Sequence, residues 1–311
     1  MLSIITPSYN NGSLLKRLYK SIKNQSFSSI QWIIIDDGST DDTQTIVKQF
    51  KKINISYIKQ KNLGANSARN RGEKEILDEN KYVIYMDSDD TFFDNNSIKM
   101  MVEDIQKTPK SIGAVGYSSV DGYTRKNFTY LKTSPLIVSY LDSIKGSSFR
   151  GEFISIQKIE ILMYSKWPEK ISGYEALRHW KINKHFDFLL FSKPARIYYR
   201  DRKDNLTSPE TTVRRSLDMA KAIDVLLRDY GEDLLFHAKS KYYYYVLTQS
   251  LYFSLGGKSK NSLLSLLKSL NFNFDIKNNL IFIFVIILLS LPMNIRCKLY
   301  IFIKNLSYNY S

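Results

Sequence analysis

The chain has 311 residues, of which 43% are hydrophobic and 24% charged, an ordinary globular composition that can build one elaborated domain or a domain with an appendage. Its 45 Lys and Arg against 30 Asp and Glu give a net charge of +15, which favours an anionic partner: a membrane surface, a nucleic acid or a phosphorylated substrate. One cysteine, Cys297, excludes an internal disulfide framework, and the histidines His179, His185 and His237 are too scattered for a zinc site.

Part of the charge excess is Lys beside Asn and Ile, a bias that base composition alone also produces. The opening Met1-Leu2-Ser3 lacks the charged n-region and long apolar core of a signal peptide, so the chain is expected in the cytoplasm.

Leu2 to Ile5 reads as a short buried strand, broken by the polar stretch Thr6 to Gly12. Leu14, Leu15, Leu18 and Ile22 then recur at helical spacing. Trp32 to Ile35 is a second apolar run, closed by Asp36-Asp37-Gly38-Ser39-Thr40-Asp41-Asp42, with a helical pattern in Ile46, Val47 and Phe50 behind it. Ile55 to Ile58 predicts a third strand and Ala65 to Leu77 a third helix. Tyr82 to Met86 predicts a fourth strand, followed by a helix over about 96–107. Strands that are continuously apolar and alternate with helices predict a parallel sheet covered on both faces.

The loops after Ile5, Ile35 and Met86 then lie on one sheet edge and can surround one ligand. The last of them, Asp87-Ser88-Asp89-Asp90, packs three carboxylates into four positions. Such a cluster suits Mg²⁺ or Mn²⁺, or else a polar turn that caps the next helix. Between the third strand and third helix, Asn62 to Gly72 adds glycines and Arg69 at a helix amino terminus, a place that can hold a diphosphate. Neither a Walker sequence nor G-x-G-x-x-G is present.

Beyond residue 110, Ile112 to Val120 predicts a strand, while residues 121–150 resist assignment. Gly151 to Ile156 alternates like a half-buried strand and leads into a helical pattern near 157–163. Residues 167–177 open a helix that runs to about Ile182, and Ala195 to Arg200 reads as another strand. From Thr212 on, helix formers dominate: one amphipathic pattern through Leu217, Ala220, Ile223, Leu226 and Leu227, a second over 232–255 and a third over 259–270. Leu280 to Leu291 is twelve apolar residues with one Ser, ended by Pro292. That is short of the roughly 20 needed to cross a bilayer as a helix. Arg296, Lys298 and Lys304 follow among Ile295, Leu299, Tyr300, Phe302 and Ile303. An interfacial anchor over 276–311 on anionic lipid is preferred to a helix packed on the domain that precedes it and to true insertion.

Four motifs, in order, carry a resemblance: Thr6-Pro7-Ser8-Tyr9-Asn10, Ile35 to Asp41, Asn62-Leu63-Gly64 with Ala68-Arg69-Asn70, and Met86-Asp87-Ser88-Asp89-Asp90. Together they resemble the family-2 glycosyltransferases of the GT-A fold. The resemblance implies an α/β fold, a Rossmann-like and mostly parallel sheet with helices on both faces, here with a C-terminal helical region. The expected domains are a glycosyltransferase domain over 1–210 (donor half 1–110, acceptor half 111–210), followed by the helical extension over 211–275 and the tail 276–311 that the helical patterns and apolar run mark out.

It also implies a nucleotide-sugar donor, usually a UDP-sugar, a divalent metal (Mn²⁺ or Mg²⁺) and inversion at the anomeric carbon. By position, Pro7 and Tyr9 would flank the nucleoside, Asp37 would accept from the base, and Arg69 would sit near base or diphosphate. Asp36 is expected to fix its turn. In Asp87-Ser88-Asp89, which matches the family's Asp-x-Asp, Asp87 would meet the ribose, Ser88 would join it in the nucleotide-sugar site, and Asp89 would meet the metal, with Asp87 as a second metal candidate. Similar enzymes carry an acidic pair where Tyr174-Glu175 stands, one carboxylate being the general base. Glu175 is the candidate, Glu169 the alternative and Asp187 the third. Arg200 or Arg202 would steady the leaving group, although Lys203 stands where a histidine is common.

The expectation is an inverting, metal-dependent, non-processive glycosyltransferase with a lipid-linked or surface-polysaccharide acceptor, peripherally bound to the inner face of the membrane and with no nucleic-acid partner. The alternatives are a nucleotidyltransferase of related fold and a basic, non-catalytic nucleic-acid- or membrane-binding protein.

Overall fold

The computed structural model describes residues 1–169, 174–199, 208–269 and 276–308. The chain forms two compact units, one of Met1–Glu169 with Glu175–Asp201, the other of Lys170–Tyr174 with Arg202–Ser311.

The first unit is built on a 9-stranded sheet. Its strands are β1 (Leu2–Ser8), β2 (Ile30–Asp36), β3 (Asn54–Lys59), β4 (Tyr82–Tyr85), β5 (Thr91–Phe92), β6 (Ile112–Asp121), β8 (Leu136–Val138), β10 (Phe153–Lys158) and β11 (Asp187–Tyr198), while β7 (Tyr130–Leu131) and β9 (Phe149–Arg150) form a separate pair. The order is β3-β2-β1-β4-β10-β6-β11-β5, with β8 also on β11. The pairings of β1 with β2 and β4, of β2 with β3, and of β6 with β11 are parallel. Because β10 runs antiparallel to both β4 and β6, those two point the same way, and only β5, β8 and β10 run against the others.

Successive side chains of a strand leave opposite faces, so a strand buried on both sides must be apolar throughout. One core collects Ile4, Trp32, Ile34 and Ile84 with Leu15, Leu18 and Ile22 of α1 (Gly12–Lys23). The other collects Ile5, Ile33, Ile35 and Val83 with Ala68. Behind α1 come α2 (Thr43–Lys48), α3 (Ala65–Glu73), α4 (Ser97–Gln106), α5 (Tyr140–Lys145) and α6 (Ala176–Asn183). Gly72 lets α3 lie close on β1: a Cβ there would stand 2.5 Å from Cγ2 of Ile5. The helical pattern near 157–163 is a 3-10 turn, Ile159–Tyr164, because β10 runs on to Lys158.

The second unit holds α7 (Pro209–Arg214), α8 (Ser216–His237), α9 (Lys239–Leu255), α10 (Ser259–Leu267), α11 (Ile276–Leu289) and α12 (Met293–Tyr308). Ala220, Ile223, Leu226, Tyr230 and Leu234 bury one face of α8, and α9 packs on that helix and on α10 to α12. Among the described residues no helix is long and apolar enough to cross a membrane. Arg296, grouped by sequence with the lipid-facing cations, is instead buried. Its guanidinium donates to the carbonyls of Leu291 (2.6 Å) and Leu289 (3.1 Å) and to Ser259 Oγ (2.9 Å). An arginine carries five donors, and here they close the end of α11 onto the start of α10.

Candidate active site

The loops that follow β1, β2 and β4 emerge at one edge of the sheet, as the parallel order requires. Their side chains tie them together. Asn10 has a positive φ of 50°, and its backbone N–H donates to Ser39 Oγ (2.9 Å) while its Oδ1 accepts from Thr40 N (2.8 Å). Asn is among the residues that tolerate this conformation. Asn11 Nδ2 donates to Ser88 Oγ (2.7 Å), which joins the first loop to the third. Asp36 accepts from Ser39 N (2.7 Å) and from the Tyr57 hydroxyl, so it fixes its turn, as read from the sequence.

Asp37 is also committed to the loops. Its carboxylate accepts from Gln60 Nε2 (2.7 Å), Leu63 N (2.9 Å) and Gly64 N (2.7 Å). It thereby holds the turn into α3, where Gly64 has φ of 91°, a conformation that favours glycine. From the first turns of α3, Arg69 donates to Asp87 Oδ1 (3.0 Å) and to Asn66 Oδ1 (2.9 Å). Tyr9 is 41% exposed at the edge of the site, Pro7 is half-buried, and Ser88 is buried against Asn11. Arg200, Arg202 and Lys203 lie outside the described residues.

One oxygen of Asp87 is engaged by Arg69, and Asp89 is half-buried two residues on. Among the described residues no three His, Cys, Asp or Glu converge as a metal cage. Two carboxylates fit Mg²⁺ or Mn²⁺, which are usually held by one or two such groups, with phosphate and water oxygens completing the shell.

The third acid of the cluster does something else. Asp90 is buried, pairs with Arg196 (3.3 Å) and accepts from Tyr199 N (3.2 Å). Burial pushes its carboxyl well above the usual range and Asp87 and Asp89 add to this, while Arg196 opposes it. Arg196 Nε donates to Ser119 Oγ (2.8 Å), so the acidic loop is anchored to β6 and β11. An arginine between Ala195 and Ile197, in the buried last part of β11, was the signal for this anchor. Arg17 of α1 adds a bond to the Asp89 carbonyl and lies 3.5 Å from the centre of the Tyr199 ring.

The candidate bases occupy different surroundings. Glu175 is the N-cap residue of α6, exposed, and makes no side-chain capping bond. Glu169 is exposed and accepts from Asn70 Nδ2 (3.1 Å). Asp187 begins β11 at the amino end of a strand parallel to β6. This is the sheet edge opposite the three loops, so the third candidate falls away.

Behind these loops lies a buried group that sequence reasoning missed. Asn70 forms a reciprocal pair with Trp167, donating to its carbonyl (2.9 Å) and accepting from its N–H (2.9 Å). Asn66 donates to the Pro168 carbonyl (3.0 Å). Arg178 of α6 donates to Gln157 Oε1 (3.2 Å) and faces Glu73 (3.7 Å), to which Tyr85 also donates (2.6 Å). These contacts seat α6, and Glu175 at its start, against α3 and β4.

Residues 3–156 match Glycosyl transferase family 2. Among curated relatives, a GalNAc(5)-diNAcBac-PP-undecaprenol beta-1,3-glucosyltransferase of Campylobacter jejuni is 27% identical over 80% of this chain and 84% of its own. The minor teichoic acid biosynthesis protein GgaA of Bacillus subtilis is 26% identical over 78% of this chain and 55% of its own. Two solved structures share the fold. TarS of S. aureus, in complex with UDP-GlcNAc, has a TM-score of 0.56 at 16% identity, covering 85% of this chain and 90% of that one. The mannosyltransferase PcManGT of Pyrobaculum calidifontis, in complex with GDP-Man and Mn²⁺, has a TM-score of 0.57 at 15% identity, covering 98% and 86%. The loops that close on one sheet edge and the matched first half agree: this chain is a glycosyltransferase and belongs to glycosyl transferase family 2.

Proposed function

We propose that the protein is an inverting, metal-dependent, non-processive glycosyltransferase. It moves one sugar from a nucleotide diphosphate sugar, a UDP-sugar, to a hydroxyl of a lipid-linked oligosaccharide or surface polysaccharide. The observation that carries this reading is the closed set of bonds among the loops at Asn10, Asp37, Arg69 and Asp87. They leave one rim with an exposed aromatic, a guanidinium and two carboxylates. Support for the partners comes from the relative named for an undecaprenol-linked substrate and the fold neighbour bound to UDP-GlcNAc.

In this reading Tyr9 stacks on the base, beside Pro7, and Asp37 presents the 60–64 loop as well as an acceptor for the base. Arg69 balances charge between Asp87 and the diphosphate, and Ser88 keeps the Asp-x-Asp loop in register. Asp89, with the second oxygen of Asp87, would hold Mn²⁺ or Mg²⁺, whose chemistry when bound is to neutralise charge on the leaving diphosphate. Glu175 takes the proton from the acceptor hydroxyl as the hydroxyl oxygen bonds to the anomeric carbon, while the bond from that carbon to the nucleoside diphosphate breaks on the opposite side. Glu169 is the second choice, since Asn70 already draws on one of its oxygens. Arg200 is assigned to the leaving group.

The tail 276–311 is assigned to an anionic membrane surface on the cytoplasmic side. Leu280, Ile283, Ile286 and Ile287 of α11 and Phe302 of α12 stand exposed, with Lys298 and Lys304 to meet lipid. Calorimetric titration with UDP-, GDP- and dTDP-sugars, with and without Mn²⁺, tests the donor assignment. A UDP-sugar binding only with metal is the expected result, and failure of every nucleotide sugar to bind overturns it.

A further inference from the structure

Helix α10 is folded the wrong way round for water. It buries Ser262, Ser265, Leu266 and, just past its end, Ser269, while Leu263, Leu264 and Leu267 stand about half exposed at 52%, 51% and 50%. The buried serines are satisfied: Ser262 Oγ donates to the Ser250 carbonyl (2.8 Å), Ser265 Oγ to Gln249 Oε1 (3.1 Å) and Ser269 Oγ to the Leu266 carbonyl (2.6 Å). This packing on α9, with Leu266 the one leucine of the helix buried beside the serines, fixes the helix in a rotation that turns Leu263, Leu264 and Leu267 outward. An amphipathic helix on a water-soluble core reverses that choice, because apolar burial is what holds it there.

Exposed Lys260 stands three and four residues before Leu263 and Leu264, and exposed Lys268 four residues after Leu264, on the same side of the helix, and exposed Lys258 precedes it. From Lys239 to the end of the chain there are nine Lys and Arg against one acid, Asp275. A face of leucines edged by lysines matches the boundary of an anionic bilayer. There the apolar groups enter the acyl region and the ammonium groups reach the headgroups. A second copy of the chain fits poorly. A two-fold pairing through this face would bring its lysines against their own copies.

We infer that α10 is a membrane-docking element that lays Leu263, Leu264 and Leu267 into the surface of an anionic lipid bilayer. The inference rests on the membrane part of the reading above and not on its sugar chemistry, and it places lipid contact outside 276–311.

The test is co-sedimentation of the full chain with vesicles of phosphatidylcholine alone or mixed equally with phosphatidylglycerol. Two variants are compared, one with Leu263→Ser, Leu264→Ser and Leu267→Ser, the other with Lys260→Glu and Lys268→Glu. All of these side chains are exposed, and circular dichroism checks that the helices are kept. The expected result is that the unsubstituted chain prefers the anionic vesicles, and that each variant binds them more than about tenfold more weakly. If both variants bind as the unsubstituted chain does, the inference is overturned while docking through 276–311 stands. If the unsubstituted chain binds no vesicle, both are overturned. If the leucine variant splits a dimer in sedimentation equilibrium and leaves vesicle binding unchanged, the face is a contact between copies and the inference is again overturned.

Discussion

The guanidinium of Arg178 lies 4.5 Å from the centre of the Trp167 ring, and that of Arg69 lies 4.8 Å from the same ring. One arginine lies in the first turn of α6, three residues after Glu175, and the other binds Asp87. Trp167 is therefore the shared packing surface between the two halves of the candidate site. Arg178 has a fully buried side chain, and its charge is answered by Glu73, which is 2% exposed.

Removing one member of a buried pair leaves the other without compensation. Arg178→Met is therefore expected to cost about 3 kcal/mol in denaturant unfolding, although Lys166 and Tyr85 still reach Glu73. Arg178→Lys keeps the charge and loses the planar stack, so about 1–2 kcal/mol is expected. Unchanged midpoints in both variants would show that this stack contributes nothing to the fold.

Asp37 makes a sharper prediction than its motif alone allows. Both of its oxygens accept from the backbone N–H groups of Leu63 and Gly64. Asn at this position must turn a donating amide toward one of them. The lost acceptor costs about 1–3 kcal/mol. It is expected to appear as roughly tenfold to a hundredfold weaker UDP binding in calorimetry, through displacement of the 60–64 loop. Unchanged affinity in Asp37→Asn would separate the loop's order from nucleotide binding.

The first half of the fold was legible because its signals are local. Continuous apolar strands and turn residues mark β1, β2 and β4 with their loops, and each motif residue lies within a few positions of the turn it serves. What the sequence hid is long-range. Asn70 meets Trp167, Tyr85 meets Arg178 and Arg196 meets Asp90 across about a hundred positions or nearly so, and no short window contains both partners. Periodicity also finds a stripe without saying which side turns inward. For α10 the amphipathic pattern gave the helix, but three serines and only one leucine, Leu266, took the inside. Arg296 shows the same limit, since a cation in a basic, apolar stretch reads as a lipid contact until its buried partners are seen.

The two candidate bases separate by substitution. A carboxylate that takes a proton in the transition state contributes on the order of 10²–10⁴ in rate. Glu175→Gln is therefore expected to lower kcat by at least about a hundredfold and to leave UDP affinity unchanged. Glu169→Gln keeps an oxygen to accept from Asn70 and is expected to retain most of its turnover. The reverse ranking in a sugar-transfer assay would move the base to Glu169.

His179 supplies a pH dependence of the fold itself. The residue is half-buried, with the rings of Trp167 and Phe188 at 6.1 Å and 6.3 Å. Loss of water around the imidazole, with the cations Arg178 and Arg69 adding to it, lowers its pKa to about 3 from the usual 6.5. Between those values the unfolded chain binds a proton at His179 that the native protein refuses. Unfolding free energy therefore rises with pH through this window, and the contribution is complete above 6.5 and is lost as pH falls toward 3. One such proton gives a slope of at most about 1.4 kcal/mol per pH unit. His179→Phe keeps an aromatic ring between Trp167 and Phe188 and removes the titrating group. Its stability, measured by urea unfolding from pH 7 down to pH 4, is expected to fall less steeply than that of the unsubstituted protein by up to this amount. Parallel curves would mean that His179 takes up its proton in the native state as readily as in the unfolded one.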